Sequence, residues 1–140
     1  MSLVSYAAKL AIKPKGPVEE AIFEHIWQQT PVETVLAPLM KSEVFLYAQP
    51  SDGPDPKPLA MAGSDGKPVM LVFTSRERAA AIAKQLPPGS AEGMTQPFTE
   101  VLRWAPIELG LAINSGSALA AECGASHMDA LRKQAGIFRP

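Results

Sequence analysis

Phe73-Thr74-Ser75-Arg76-Glu77-Arg78 follows directly on the apolar run Val69-Met70-Leu71-Val72, and later in the chain Asn114-Ser115-Gly116-Ser117 follows on Gly110-Leu111-Ala112-Ile113. In the first string an apolar strand passes through a hydroxyl-bearing turn into a charged, Ala-rich helix. Thr74 reads as the cap of that helix and Glu77, three residues on, as the acid that closes a capping box. Ala79, Ile82, Ala83 and Leu86 are placed to face inward, and Pro87-Pro88-Gly89 ends the element. In the second string a strand enters a polar turn, where Asn114 and Gly116 tolerate the left-handed backbone that a reversal needs.

Working outward from the first string, Gly63-Ser64-Asp65-Gly66-Lys67 separates the strand at Pro68–Phe73 from an earlier apolar run, Leu59–Ala62. Asp-Gly between two such runs predicts a hairpin. A phosphate loop is the alternative for this segment, but the Walker spacing is absent and a strand, not a helix, follows it. The second strand is apolar at every position after Pro68, as a central strand would be. Pro50, Pro54, Pro56 and Pro58 make the preceding stretch a surface loop. Val44-Phe45-Leu46-Tyr47-Ala48 before it reads as a strand covered on both faces.

Two helices are expected ahead of that strand. Pro17 suits the first turn of one, with Val18, Ala21, Ile22 and Ile26 as its apolar stripe. Thr30-Pro31-Val32-Glu33 starts the other, and Pro38 should kink or end it. Further on, Thr99 is expected to cap a short helix limited by Pro106, Ala118–Cys123 to return as a strand, and Ser126 to cap a last helix to about Gly136. Helices and hairpins alternate irregularly, which favours α+β over a parallel βαβ array. The expected architecture is one α+β domain, a mainly antiparallel sheet with helices packed over it. Residues 1–16 form an N-terminal extension and residues 17–140 the domain.

The 140 residues suffice for one buried core. Lys and Arg number 13 against 14 Asp and Glu, which lacks the basic excess of a phosphate-backbone binder, so nucleic acid is not an expected partner. No apolar stretch approaches the roughly 20 residues that span a bilayer, and Lys9 interrupts the apolar N-terminus, which does not read as a secretory leader. The single Cys123 excludes an intramolecular disulfide and suits a reducing compartment. The expected location is cytoplasmic, without a membrane partner.

The two strings, in this order and spacing, resemble two segments of the SseB-like (enhanced serine sensitivity) family's N-terminal domain. Val72-Phe73-Thr74-Ser75-Arg76-Glu77-Arg78 is similar to one, and Gly110-Leu111-Ala112-Ile113-Asn114-Ser115-Gly116-Ser117 to the other, with Ser115 where the family usually has proline. The resemblance covers roughly residues 17–135. It implies a bacterial α+β domain without established catalytic apparatus. The second domain of some family members is absent from these residues.

Cys123 and His127 are too few ligands for zinc, so no metal or cofactor is expected. A small hydrolase or transferase using Cys123 or Ser117 with His127 would need the fold to bring them together, since no nucleophile elbow or spaced acid marks them. His25 reads as a helix-surface residue beside Glu24. Phe23 and Trp27 lie four apart, offset from the Val18-Ile22-Ile26 stripe; either their helix is buried over a wide arc or the rings project toward a partner. Trp104 poses the same question. Arg76 and Arg78 are expected on a solvated helix face or against an acidic groove of a partner.

The reading that follows is a non-enzymatic protein-interaction or regulatory module. Its interaction candidates are Phe23, Trp27, Trp104, Arg76 and Arg78, its structural residues Thr74, Glu77, Asn114 and Gly116, and it has no catalytic residue. Its partner is a protein, with a homo-oligomer left open. The alternatives are an accessory protein of a secretion or toxin system, such as a chaperone or immunity protein, and the small hydrolase or transferase.

Overall fold

The computed structural model describes residues 12–49, 51 and 53–137. Most of the expected N-terminal extension and two residues of the proline-rich loop, Pro50 and Asp52, lie outside that range.

The elements, in chain order, are α1 (Gly16–Gln28), α2 (Glu33–Leu39), β1 (Glu43–Gln49), β2 (Lys57–Pro58), β3 (Ala60–Ala62), β4 (Pro68–Val72), a 3-10 turn (Glu77–Ala79) running into α3 (Ala80–Ala83), β5 (Glu92–Pro97), α4 (Phe98–Trp104), β6 (Gly110–Ile113), β7 (Ala121–Cys123) and α5 (Ala125–Gln134). This is a single-domain α+β fold with mostly antiparallel strands.

Two ladders make up the sheet, β2-β1-β5 and β3-β4-β6-β7. They meet where Phe45 and Phe73 exchange backbone hydrogen bonds of 2.8 Å in each direction. Beyond that point β1 and β4 diverge, and the segment Lys57–Ala62 fills the fork. Its first half pairs with β1 and its second half with β4. Leu59 sits at the bend, its N–H donating to Tyr47 and its C=O accepting from Leu71. The end of the proline-rich stretch is therefore strand and not loop; Pro58 tolerates a strand position because the pairing there is two residues long. The predicted hairpin joins β3 to β4, with Gly66 at φ 82°.

Strand β4 is central and pairs in parallel with β6, Val69 against Gly110 through Val72 against Ile113. Its continuous apolar run serves two faces. Met70 and Val72 join the main core with Leu46, Leu111 and Ile113, under α1, α2, α4 and α5. Val69, Leu71 and Phe73 join a smaller cluster with Phe45, Ala79 and Ala112 on the other face.

Several boundaries differ from those expected. The helix predicted from Thr74 to Leu86 is only a 3-10 turn and one turn of α-helix, without a side-chain cap. Thr74 is engaged elsewhere, as described below, and Ser75 instead accepts the Arg78 N–H at 3.3 Å. Helix α4 begins at Phe98 behind Pro97, and α5 is entered from Gly124, so neither Thr99 nor Ser126 occupies a cap position. Helix α2 starts at Glu33 and stops one residue after Pro38. Strand β5 was not anticipated: Glu92-Gly-Met-Thr-Gln-Pro97 has little β propensity and only Met94 and Gln96 turn toward the core.

Candidate functional site

The two sequence strings converge because β4 and β6 are adjacent and parallel, so both loops leave at the same end of the sheet. There Asn114, fully buried at φ 55°, accepts the Thr74 N–H with Oδ1 at 2.9 Å. The Thr74 hydroxyl donates to Glu19 Oε2 at 2.6 Å and accepts from Asn114 Nδ2 at 3.1 Å. Arg78 closes the array with a bidentate pair, Nε to Glu19 Oε2 at 3.0 Å and Nη2 to Oε1 at 2.8 Å. The Lys15 N–H adds a bond of 2.9 Å to Oε1.

Glu19 is 2% exposed. Burial raises its pKa, but the hydrogen bonds from Arg78, Thr74 and the Lys15 amide outweigh that and hold the carboxyl below the ordinary value. The ion pair therefore ties α1 to the turn after β4, and Thr74 ties both to the loop after β6. Beside it lies a groove of about 600 Å³ lined by Lys13, Lys15, Thr74, Ser75, Glu77 and Arg78 among others.

The sequence-derived residues distribute as follows. Arg78 is three-quarters covered and paired with Glu19, so it does not lie on a solvated helix face. Arg76 is exposed, its guanidinium 5.1 Å from the centre of the Phe45 ring. Glu77 is exposed and makes no capping bond to Thr74, because the Thr74 N–H it would accept is already given to Asn114 Oδ1. Gly116, at φ 88°, completes the turn in which the Ser117 N–H donates to Asn114 at 3.0 Å.

Phe23 is fully buried and Trp104 is 4% exposed, so neither is a projecting anchor. The Trp104 indole N–H is satisfied by Gln96 Oε1 at 2.9 Å. Trp27, by contrast, is 39% exposed beside Ile26 at 41%, its ring stacked on Phe23 with centroids 6.0 Å apart. The His25 Nδ1–H donates to the Thr30 carbonyl.

The other end of the β4–β6 pair holds Cys123 and His127, which line a groove of about 290 Å³ with Ser64, Glu108 and Glu122. Ser117 is not there, since it follows the carboxyl end of β6 whereas Cys123 pairs with Leu111 near the amino end. His127 Nε2 lies 3.6 Å from Glu33, and its Nδ1 is buried without a hydrogen-bond partner among the described residues. Burial, with Glu33 nearby, pushes the Cys123 thiol up to about 12. That is the opposite of an activated nucleophile. Among the described residues no group of three or more His, Cys, Asp or Glu is arranged to hold a metal ion, and no helix is long and apolar enough to cross a membrane.

Sequence reasoning missed Glu19 and Arg132. Glu19 lies between Val18 and Ile22 on the stripe itself, and a carboxylate placed there requires a cation in the fold. Arg132, 3% exposed, donates to the carbonyls of Leu102 and Ala105 at 3.0 and 3.1 Å, satisfying the end of α4. Its position on the apolar face of α5 with Met128 and Leu131 was the available signal.

The family model of the SseB protein N-terminal domain matches residues 18–127, a span that contains both strings and the side chains of Glu19, Thr74, Arg78 and Asn114. The chain belongs to the SseB family. No curated protein and no solved structure matches it.

Proposed function

We propose that this SseB domain is a non-catalytic protein-interaction module whose contact surface is the last turn of α1. The observation that carries the reading is the exposed pair Ile26 and Trp27, set on a helix whose other face is locked into the core. Stacking on the buried Phe23 holds the indole in place, so docking it costs little side-chain entropy. Large aromatic side chains of this kind are frequent interface anchors. Glu24, also exposed, stands one turn before them, so the partner surface is apolar with basic residues beside it. The polar network at the turns after β4 and β6 serves cohesion, since Glu19, Arg78, Thr74 and Asn114 bind one another.

The test is a pull-down with the tagged wild-type chain from lysate of its native organism, run beside Trp27→Ala and Cys123→Ala after circular dichroism confirms that both fold. The expected result is a stoichiometric partner retained by Cys123→Ala and lost with Trp27→Ala. A partner held equally by Trp27→Ala would remove the α1 surface from consideration, and failure to retain any partner would count against the module itself.

A further inference from the structure

Among the described residues, strand β5 is paired along one side only. Its ladder to β1 sets Val44 against Gln96, Leu46 against Met94 and Ala48 against Glu92. Phe45 turns its N–H and C=O to Phe73, and the Tyr47 C=O accepts from Leu59, so these residues of β1 face away from β5. The ladder bonds are thus made to Glu92, Met94 and Gln96. The N–H and C=O groups of Gly93 and Thr95 point out of the sheet edge, and both residues are exposed.

Natural edges are usually blunted by lysine, bulges, inward charges or a covering element. Here the register runs unbroken from Glu92 to Pro97, there is no lysine, and proline stands only at the last position. Gly93 is fixed by packing: a Cβ there would lie 2.6 Å from the Phe45 ring, so the edge has no side chain at that point to keep another backbone away.

We propose that β5 is a homodimerisation edge, at which two copies of the chain align their β5 strands antiparallel about a two-fold axis through Met94. In that register Gly93 faces the partner's Thr95 and exchanges two backbone hydrogen bonds with it, and the symmetric pair adds two more. Glu92, the single charge of the strand, faces the partner's Gln96, so no like charges oppose each other. A foreign strand would draw its specificity from pockets for alternate side chains. The grooves around Glu19, Ser42, Leu36 and Cys123 lie away from β5, whereas an identical strand needs only the matching backbone.

Sedimentation equilibrium on the full chain, over a micromolar-to-millimolar series, tests this together with amide hydrogen exchange. Thr95→Pro deletes the outward N–H without touching the ladder to β1, so the monomer keeps its fold. Two hydrogen bonds per dimer are lost, and association should weaken about thirtyfold. Gly93 exchange should be slow in concentrated wild type and fast in dilute wild type and in the variant. Should Thr95→Pro fail to fold, Thr95→Lys, which places an ammonium on each edge, is expected to give the same shift. A chain that stays monomeric throughout the series overturns the proposal, even if it captures a foreign strand. So does a dimer whose affinity and Gly93 exchange are unchanged in the folded variants.

Discussion

At the carboxyl ends of β4 and β6 the polar side chains Glu19, Thr74, Arg78 and Asn114 are partnered with one another, whereas at the amino ends of the same strands a buried nitrogen of His127 has no partner among the described residues and burial pushes the Cys123 thiol up. The strands themselves are equally apolar at both ends, so the contrast arises from what approaches them. At the carboxyl end α1 delivers a carboxylate on its buried face, and the turn after β4 returns an arginine to it. At the amino end α5 delivers an imidazole whose nearest acid is the exposed Glu33. The first end carries cohesion, and the second can be altered with little consequence. That division is open to direct measurement.

The largest effect should come from Arg78→Ala. It leaves the Glu19 carboxylate buried without its cation, and breaking such a pair costs about 3 kcal/mol. Urea denaturation should register this as a lower midpoint at unchanged slope. A second substitution, Glu19→Gln, made in the Arg78→Ala background, should recover part of the loss, because the uncompensated charge is gone. A loss below about 0.5 kcal/mol for Arg78→Ala would place the pair among ordinary surface ion pairs and erase the contrast between the two ends.

Asn114→Ala should cost about 2 kcal/mol, combining an unsatisfied Thr74 amide with a left-handed backbone that alanine resists. Asn114→Gly separates the two contributions. Glycine accepts the φ of 55° but supplies no oxygen, so it should recover only the conformational part. Equal losses in both variants would mean that the backbone strain at this turn is negligible.

A smaller effect should appear in the pH dependence. The folded-state pKa of Glu19 is depressed, so its contribution is fully present above the unfolded value of 4.5 and is lost as pH falls through the folded value. Wild-type stability should therefore drop in that acidic window. Arg78→Ala should lack that part of the drop or reverse it, since burial alone raises the carboxyl and protonation then favours folding. Parallel pH profiles for the two proteins would count against Glu19 as the titrating group.

Much of this frame was legible in the chain because it rests on short-range rules. The Asp65-Gly66 hairpin, the both-sided apolar run of β4 and the helix containing Val18 and Ile22 follow from turn chemistry and periodicity. Thr74 was misread for a physical reason. A threonine followed by an acid three residues on is a capping box only if its hydroxyl oxygen and its N–H are free for the helix. Here Asn114, 40 residues on, donates to the oxygen and accepts the N–H, while Glu19, 55 residues back, takes the hydroxyl proton. The same non-local pairing hid Arg78, which looked like a surface charge. Strand β5 was invisible because its stability comes from the register with β1, not from its own residues. On α1, Phe23 and Trp27 share a spacing yet differ in burial, since the core reaches only the first of the two rings.

The least perturbed site should be the pair at the amino ends. His127 is half-exposed and its ring lies 3.6 Å from the exposed Glu33, so His127→Ala should change stability by no more than about 0.5 kcal/mol. The informative readout there is the thiol of Cys123. Burial pushes the thiol up to about 12, so little thiolate is present at pH 8, and reaction with a disulfide reagent should be slow and should accelerate on unfolding in urea. His127→Ala should leave that rate unchanged, because no hydrogen bond joins the two side chains among the described residues. A fast reaction in the folded state, abolished by His127→Ala, would reveal a working thiol–imidazole pair. It would also reverse the assignment of the two ends, making the amino end the site of chemistry and leaving the Glu19 network as its support.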